Sequence, residues 1–231
     1  MLDIVNISAL AQLLADPARV AILWALIDGT SRPAGELAFA ANVSAQSASA
    51  HLAKLVEGKL LVLEIQGRHR YFRIASAEAA HLVENLASFG QNMQVRTPRR
   101  PAIVRAMPGE FLHARTCYDH LAGDMAVQVL QMMLAQSWLV GTVQNYQITP
   151  LGQEKLSVLG IDLEHSHKGK RALARGCVDL TQRRPHLAGA LGAALLDYYV
   201  RQGWILRTPH SRIVSMTPHG QEGFRRLLAT G

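Results

Sequence analysis

Ser44-Ala45-Gln46-Ser47-Ala48-Ser49-Ala50-His51-Leu52-Ala53-Lys54-Leu55-Val56-Glu57 is followed by Gly58-Lys59 and then by Leu60-Leu61-Val62-Leu63-Glu64-Ile65-Gln66-Gly67-Arg68-His69-Arg70-Tyr71-Phe72-Arg73-Ile74. Ser44 is a helix N-cap type, whose hydroxyl can accept an orphan N–H of the first turn. Gly58 offers a left-handed terminator. Between them Ala48, Leu52, Leu55 and Val56 share one face. The opposite face carries Gln46, Ser47, Ala50 and Lys54, with Ser49 and His51 on its flanks. A face this small and polar can enter a DNA major groove closely enough for side chains to reach base edges. It is also what the solvated side of an ordinary amphipathic helix looks like. The segment after the helix separates these readings. Leu60 to Ile65 is β-prone, Gln66-Gly67-Arg68 reads as a turn, and His69 to Ile74 returns. A hairpin in this place is a wing, with Arg68, His69 and Arg70 positioned to reach phosphate or the minor groove.

Upstream, helix signals follow one another closely. Asp16-Pro17 pairs an N-cap with proline at the first helical position, where a missing N–H costs nothing. The helix it opens carries Val20, Ile22, Leu23, Leu26 and Ile27 and stops at Asp28-Gly29. Ser31-Arg32-Pro33 is expected to open a short helix bearing Leu37 and Phe39 that ends near Asn42. With the turn at Asn42-Val43 and the Ser44 helix, this makes a helix-turn-helix. Downstream, Ser76 caps a helix carrying Ala80, Leu82, Val83, Leu86 and Phe89.

Over residues 6–90 the chain resembles the ArsR/SmtB family of bacterial transcription regulators. The likeness rests on Leu14-Ala15-Asp16-Pro17-Ala18-Arg19, on Glu36-Leu37-Ala38, on Ser44 to Leu55, on Gly58-Lys59-Leu60-Leu61 and on Gly67 to Phe72. The resemblance implies a homodimer formed by the first and last helices of the domain. It also implies that this dimer binds a dyad-symmetric operator near a promoter and releases it when an effector binds. The expected DNA-contacting set is Ser44, Gln46, Ser47, Ser49, His51, Lys54, Arg68, His69 and Arg70. The expected dimer interface is Leu10, Leu13, Leu14, Leu82, Val83, Leu86 and Phe89. The chain also departs from the family. Metal-sensing members often carry cysteines after the Glu-Leu pair, where this sequence has Ala38, Phe39, Ala40 and Ala41. Half of a last-helix zinc pattern is echoed by His81 and Glu84, but no matching partners stand upstream. These two read as a polar pair on an exposed helix face.

Residues 91–110 are basic and proline-rich, as a linker would be. Beyond them the sequence repeats itself. Ala114-Arg115-Thr116-Cys117-Tyr118-Asp119 is echoed by Ala174-Arg175-Gly176-Cys177-Val178-Asp179, and His120-Leu121-Ala122-Gly123 by His186-Leu187-Ala188-Gly189. Trp138 answers Trp204, and Thr149-Pro150-Leu151-Gly152 answers Thr217-Pro218-His219-Gly220. Each copy, 111–165 and 171–231, reads as an apolar helix, a tryptophan, a short hairpin and a proline-started helix, like a winged-helix unit without a polar reading face. Helices over 121–136 and 187–202 are expected to pack together. Each copy places a cysteine, an aspartate and a histidine at its helix entrance. If the copies meet about a pseudo-dyad, Cys117, His120, Cys177 and His186 converge into a set suited to zinc or a softer divalent ion. Structural packing and a thiol switch remain open beside that reading. His165 and His167, in a loop, make a weaker set.

Composition bounds the rest. The 231 residues are 49% hydrophobic and 18% charged, a globular balance. No apolar run approaches the roughly 20 residues a membrane span needs. Two cysteines and no signal-like start fit a cytoplasmic protein. The net charge of +7 suits a polyanion, although residues 1–75 hold only seven Lys/Arg against six Asp/Glu. No phosphate loop, metalloprotease motif or nucleophile elbow is present, so an enzyme is not expected. The expected fold is thus mainly α with small β-hairpins: a winged helix-turn-helix over 1–90, a linker over 91–110 and a duplicated effector domain over 111–231. The expected protein is a repressor that binds double-stranded operator DNA and answers to a metal ion or thiol-reactive compound. A small organic effector held beside Met132, Met133, Trp138 and Trp204 is the alternative.

Overall fold

The computed structural model describes residues 4–66, 69–92, 107–161, 172–209 and 211–229. It divides into two compact units, Met1–Met107 and Pro108–Gly231.

In the first unit, α1 (Ile4–Leu14) leads into α2 (Pro17–Ala25). Asp16 caps α2 by accepting the N–H groups of Ala18 and Arg19 at 2.9 and 3.1 Å. The buried Arg19 guanidinium donates back to the carbonyls of Gln12 and Leu13 at 2.7 and 2.6 Å, satisfying the open end of α1. One short motif therefore closes one helix and opens the next. The expected start of the third helix at Ser31 is corrected. Arg32–Pro33 form a short strand, β1, paired with Phe72 and Tyr71, and α3 (Ala34–Ala41) begins after it. Ser31 instead donates its hydroxyl to Glu64 at 2.8 Å. Asn42 ends α3 in the left-handed region at φ 54°.

Ser44 then caps α4 (Ala45–Glu57), accepting the Ser47 N–H at 3.2 Å. Ala48, Leu52 and Leu55 are its buried face, as their spacing predicts. The terminator is not Gly58, whose φ is −74°, but Lys59 at φ 57°. Gly58 serves space instead, because a Cβ there would lie 2.2 Å from Cδ1 of Leu13. The wing follows as β2 (Leu61–Gln66) and β3 (His69–Ile74), with Leu61 opposite Ile74 and Gln66 opposite His69. The three strands run in the order β1-β3-β2. Finally α5 (Ala77–Asn92) starts where Ser76 accepts the Ala79 N–H.

In the second unit, α6 (Gly109–His113) precedes two runs of the same element order. The first is β4 (Arg115–Cys117), β5 (His120–Ala122), α7 (Asp124–Ala135), β6 (Leu139–Thr142), β7 (Asn145–Ile148) and α8 (Pro150–Val158). The second is β8 (Arg175–Val178), β9 (Pro185–Ala188), α9 (Gly189–Arg201), β10 (Ile205–Arg207), β11 (Val214–Met216) and α10 (Pro218–Ala229). Thr149 and Thr217 cap α8 and α10 alike, each accepting a glycine N–H at 2.9 Å.

The expected helices over 121–136 and 187–202 begin later than predicted. Gly123 at φ 95° and Gly189 at φ 87° take conformations that only glycine adopts readily, and the residues before them pair as strands. The packing is also exchanged between the copies: α7 lies against β9, α9 against β5, and β5 beside β9. Leu130, Leu191, Tyr199 and Phe224 are fully buried in the resulting shared core. The ends of the expected linker, 91–92 and 109–110, are helical in α5 and α6, and residues 93–106 lie outside the described residues.

Candidate functional site

The exposed face of α4 carries Gln46, Ser49, Ala50 and Lys54, with Ser44 exposed at its N-terminus. Ser47 is half-buried at the rim. Ser49 donates its hydroxyl to the Ala45 carbonyl at 2.9 Å, so only its lone pairs face outward. His51 is turned partly inward, with Nδ1 3.8 Å from Asp16. In the wing Arg70 is exposed on β3 and His69 stands beside it in the strand, while Arg68 lies outside the described residues.

The expected dimer residues do not share one environment. Leu86 and Phe89 on α5 are 49% and 63% exposed, as is Ile7 on α1 at 62%. Leu10, Leu13, Leu14 and Leu82 are half-buried, and Val83 is buried. The expectation of an exposed His81–Glu84 face is corrected: Glu84 is buried. It sits four residues after the buried Ala80, on the same side of α5.

The duplicated residues Cys117, His120, Cys177 and His186 do come together. Cys117 is the cross-strand partner of His120 in one hairpin, and Cys177 of His186 in the other. Their candidate ligand atoms all lie within 4.8 Å of one another. The two sulfurs are 4.0 Å apart, well beyond the roughly 2.05 Å of a disulfide. The imidazole rings are 5.1 Å apart at 35°. His120 and His186 are 2% and 0% exposed.

Each ring has a carboxylate beside Nδ1, Asp119 for His120 and Asp179 for His186, both at 3.3 Å. That leaves Nε2 of each ring for the cluster; both Nε2 atoms, and Nδ1 of His186 as well, are buried without a hydrogen-bond partner. A buried polar atom left so costs about 1–3 kcal/mol. Gly192 on α9 makes room for this arrangement: a Cβ there would meet the Leu187 carbonyl at 2.6 Å and His120 at 3.2 Å.

Asp179 is the hub beneath the cluster. It accepts from Arg115 at 2.9 Å, from the Gly123 N–H at 2.7 Å, and from Thr181 and Gln182. Burial raises its carboxyl, but His186, Arg115 and these N–H groups hold it far below the usual range. Cys117, and then His120 and His186, hold the Cys177 thiol well below its ordinary value. Burial lowers the His186 imidazole, yet Asp179 and Cys177 leave it raised overall. The shift at Cys177 runs toward the thiolate, the form in which sulfur binds metals and attacks electrophiles.

Met132, Met133, Trp138 and Trp204 are core residues. Tyr199 stacks on Trp204 at 5.6 Å, with Phe224 edge-on at 5.2 Å. The Cβ of any larger residue at 223 would strike the same indole. His165 and His167 lie outside the described residues.

A helix-turn-helix followed by a wing, with a polar face on its second helix, defines a winged helix-turn-helix transcription regulator. Residues 14–64 match the family model described as a helix-turn-helix domain. The chain is 41% identical over 224 residues to the uncharacterized HTH-type transcriptional regulator YdfF of Bacillus subtilis (strain 168), covering 96% of this chain and 97% of that one. It belongs to this family of HTH-type transcriptional regulators, and is therefore a regulator rather than an enzyme. The motifs of its DNA-binding domain resemble those of the ArsR/SmtB family. Among solved structures, it is similar to the homodimeric winged helix-turn-helix fragment of Mb0332 from Mycobacterium bovis, a possible ArsR-family regulator. That match has 25% identity and a TM-score of 0.36 over 42% of this chain and 88% of that chain. The cadmium metal-sensor CMTR of Mycobacterium tuberculosis is similar at 28% identity and a TM-score of 0.31, over 42% of this chain and 99% of that chain. Among the described residues no single helix is long and apolar enough to cross a membrane.

Proposed function

We propose that the protein is a cytoplasmic, homodimeric repressor that binds a dyad-symmetric operator and releases it in response to an effector taken up by its C-terminal unit. The observation that carries the DNA reading is the exposed polar face of α4, Gln46 to Lys54, set on a buried apolar face and followed by a basic wing. Gln46 and Ser47 are assigned to base edges, with Ser44, Ser49 and His51 beside them. Lys54, Arg68, His69 and Arg70 are assigned to phosphate. The effector is assigned to the class that sulfur recognises, a soft metal ion or a thiol-reactive compound, because the only two thiols of the chain meet in one cluster. The tryptophans and methionines considered for an organic effector are buried in the apolar core of the C-terminal unit.

The test is operator binding against salt. Replacing Gln46 by Ala should cost about 1–3 kcal/mol at one operator position and little elsewhere. Arg70→Ala should weaken all sequences alike and reduce the salt slope by about one. Full affinity in an Arg68→Ala, Arg70→Ala double variant would remove the wing from the reading.

A further inference from the structure

We propose that Cys117, His120, Cys177 and His186 form one closed, tetrahedral site for a divalent ion of the zinc group, and that the ion clasps the two halves of the C-terminal unit together. That this clasp is the effector input rests on the regulatory reading above; the binding of metal does not.

The spacing fits the ion. Two thiolates about 2.3 Å from a tetrahedral zinc lie about 3.8 Å apart, and the sulfurs here are 4.0 Å apart. The two remaining donors are ring nitrogens, buried and without a hydrogen-bond partner. The nearest polar groups offered to them are the sulfurs of the same cluster, and a cation between the nitrogens and the sulfurs would satisfy all four. The carboxylates of Asp119 and Asp179 lie behind the rings at Nδ1, the arrangement that orients a metal-binding imidazole and presents Nε2. Charge also balances, since two thiolates neutralise a divalent ion and Arg115 neutralises Asp179.

The backbone supplies pre-organisation. Each Cys–His pair is fixed by strand register, Cys117 with His120 and Cys177 with His186, and β5 lies beside β9. Four protein donors, three of them buried, leave no coordination position for a substrate. That is the character of a structural or sensing site rather than a catalytic one. The ion would join residues 60 positions apart, one pair from each copy, so its binding favours a single packing of the two halves.

The test uses the full-length reduced protein, prepared without metal under anaerobic conditions. Cadmium is titrated while the thiolate-to-metal charge-transfer absorption is followed, and zinc is then measured in competition with a chelator. The expected result is one ion per chain with both sulfurs bound, and a higher unfolding temperature when zinc is present. Cys117→Ser and Cys177→Ser, each checked for native circular dichroism, should each lose more than 100-fold in affinity. Asp119→Asn, which keeps all four donors, should lose roughly 10–100-fold. A protein that takes up no cadmium, or whose affinity survives both serine variants, overturns the site. So do two thiols that oxidise to a disulfide equally fast with and without zinc. Operator binding is measured in parallel: metal bound as expected with operator affinity unchanged upholds the site and overturns its role as effector input. A metal-free protein that fails to bind its own promoter DNA, with the site intact, overturns the operator reading alone.

Discussion

Arg115 and Asp179 carry a large part of the C-terminal unit between them. Both are fully buried, and the guanidinium donates to the carboxylate while lying 4.7 Å over the Phe111 ring. Removing one member of such a pair leaves an uncompensated buried charge, so Arg115→Leu should destabilise by about 3–5 kcal/mol. Denaturant unfolding checks this, and a loss below 1 kcal/mol would show that the pair is not desolvated as described. Gly220 makes a second prediction. Its Cβ would lie 1.9 Å from the Trp204 carbonyl, a backbone atom that cannot swing away. Gly220→Ala should cost at least the roughly 1–3 kcal/mol of an overpacked core, and Gly152→Ala, 2.1 Å from the Trp138 carbonyl, should behave alike. At this scale the duplication made the Cys–His residues and the Thr-Pro-x-Gly caps legible. It did not reveal that Arg115 pairs across the copies rather than within one. Arg175, its repeat counterpart, is exposed, whereas Arg115 is buried against Asp179 of the other copy.

Elements were legible where a local signal settles them. Asp16-Pro17, Asn42, Ser44 and Ser76 mark helix ends by the hydrogen bonds they make or the backbone region they occupy, and the structure uses each in that way. Misreadings arose where distant chain decides. Arg32–Pro33 is a strand only because Tyr71 and Phe72 lie opposite it, and β5 and β9 are strands only because each hairpin folds back on itself. Leu121-Ala122 and Leu187-Ala188 look like helix until Gly123 and Gly189 are seen to turn the chain at positive φ. The α1–α2 corner gives the element-scale prediction. Asp16→Ala should cost about 1 kcal/mol through loss of the cap. Burial raises the Asp16 carboxyl, but the Arg19 N–H, His51, the Arg19 guanidinium and the Ala18 N–H hold it below its ordinary value. A depressed acid lends stability above its unfolded pKa, and that stability is lost as pH falls through the lower, folded value. Asp16→Asn keeps an acceptor for the cap and should therefore remove this part of the acid sensitivity. Denaturation midpoints measured from neutral pH downward compare the two proteins, and superimposable curves would show that the carboxylate adds nothing.

At the scale of the molecule, the first unit leaves apolar surface that its own fold does not use. Ile7 at 62%, Leu86 at 49% and Phe89 at 63% exposed lie on its first and last helices, while Val83 on α5 is buried. Exposed apolar groups scattered singly are ordinary, but α5 presents two that stand three residues apart on one side. A second copy covering α1 and α5 would bury them and set two reading helices on one duplex. Leu86→Glu should then give monomers at concentrations where the parent sediments as a dimer, because a carboxylate in that contact would be buried without a partner. The consequence for DNA can be stated separately. With two linked half-site contacts replaced by one, operator affinity should fall by about 10²-fold or more. Each monomer also neutralises half as many phosphates, so the slope of log affinity against log salt should drop to about half the parent value. A variant that merely weakened one contact within an intact dimer would lower affinity but keep most of that slope. An unchanged dimer with an unchanged slope places the interface elsewhere, on surface other than α1 and α5.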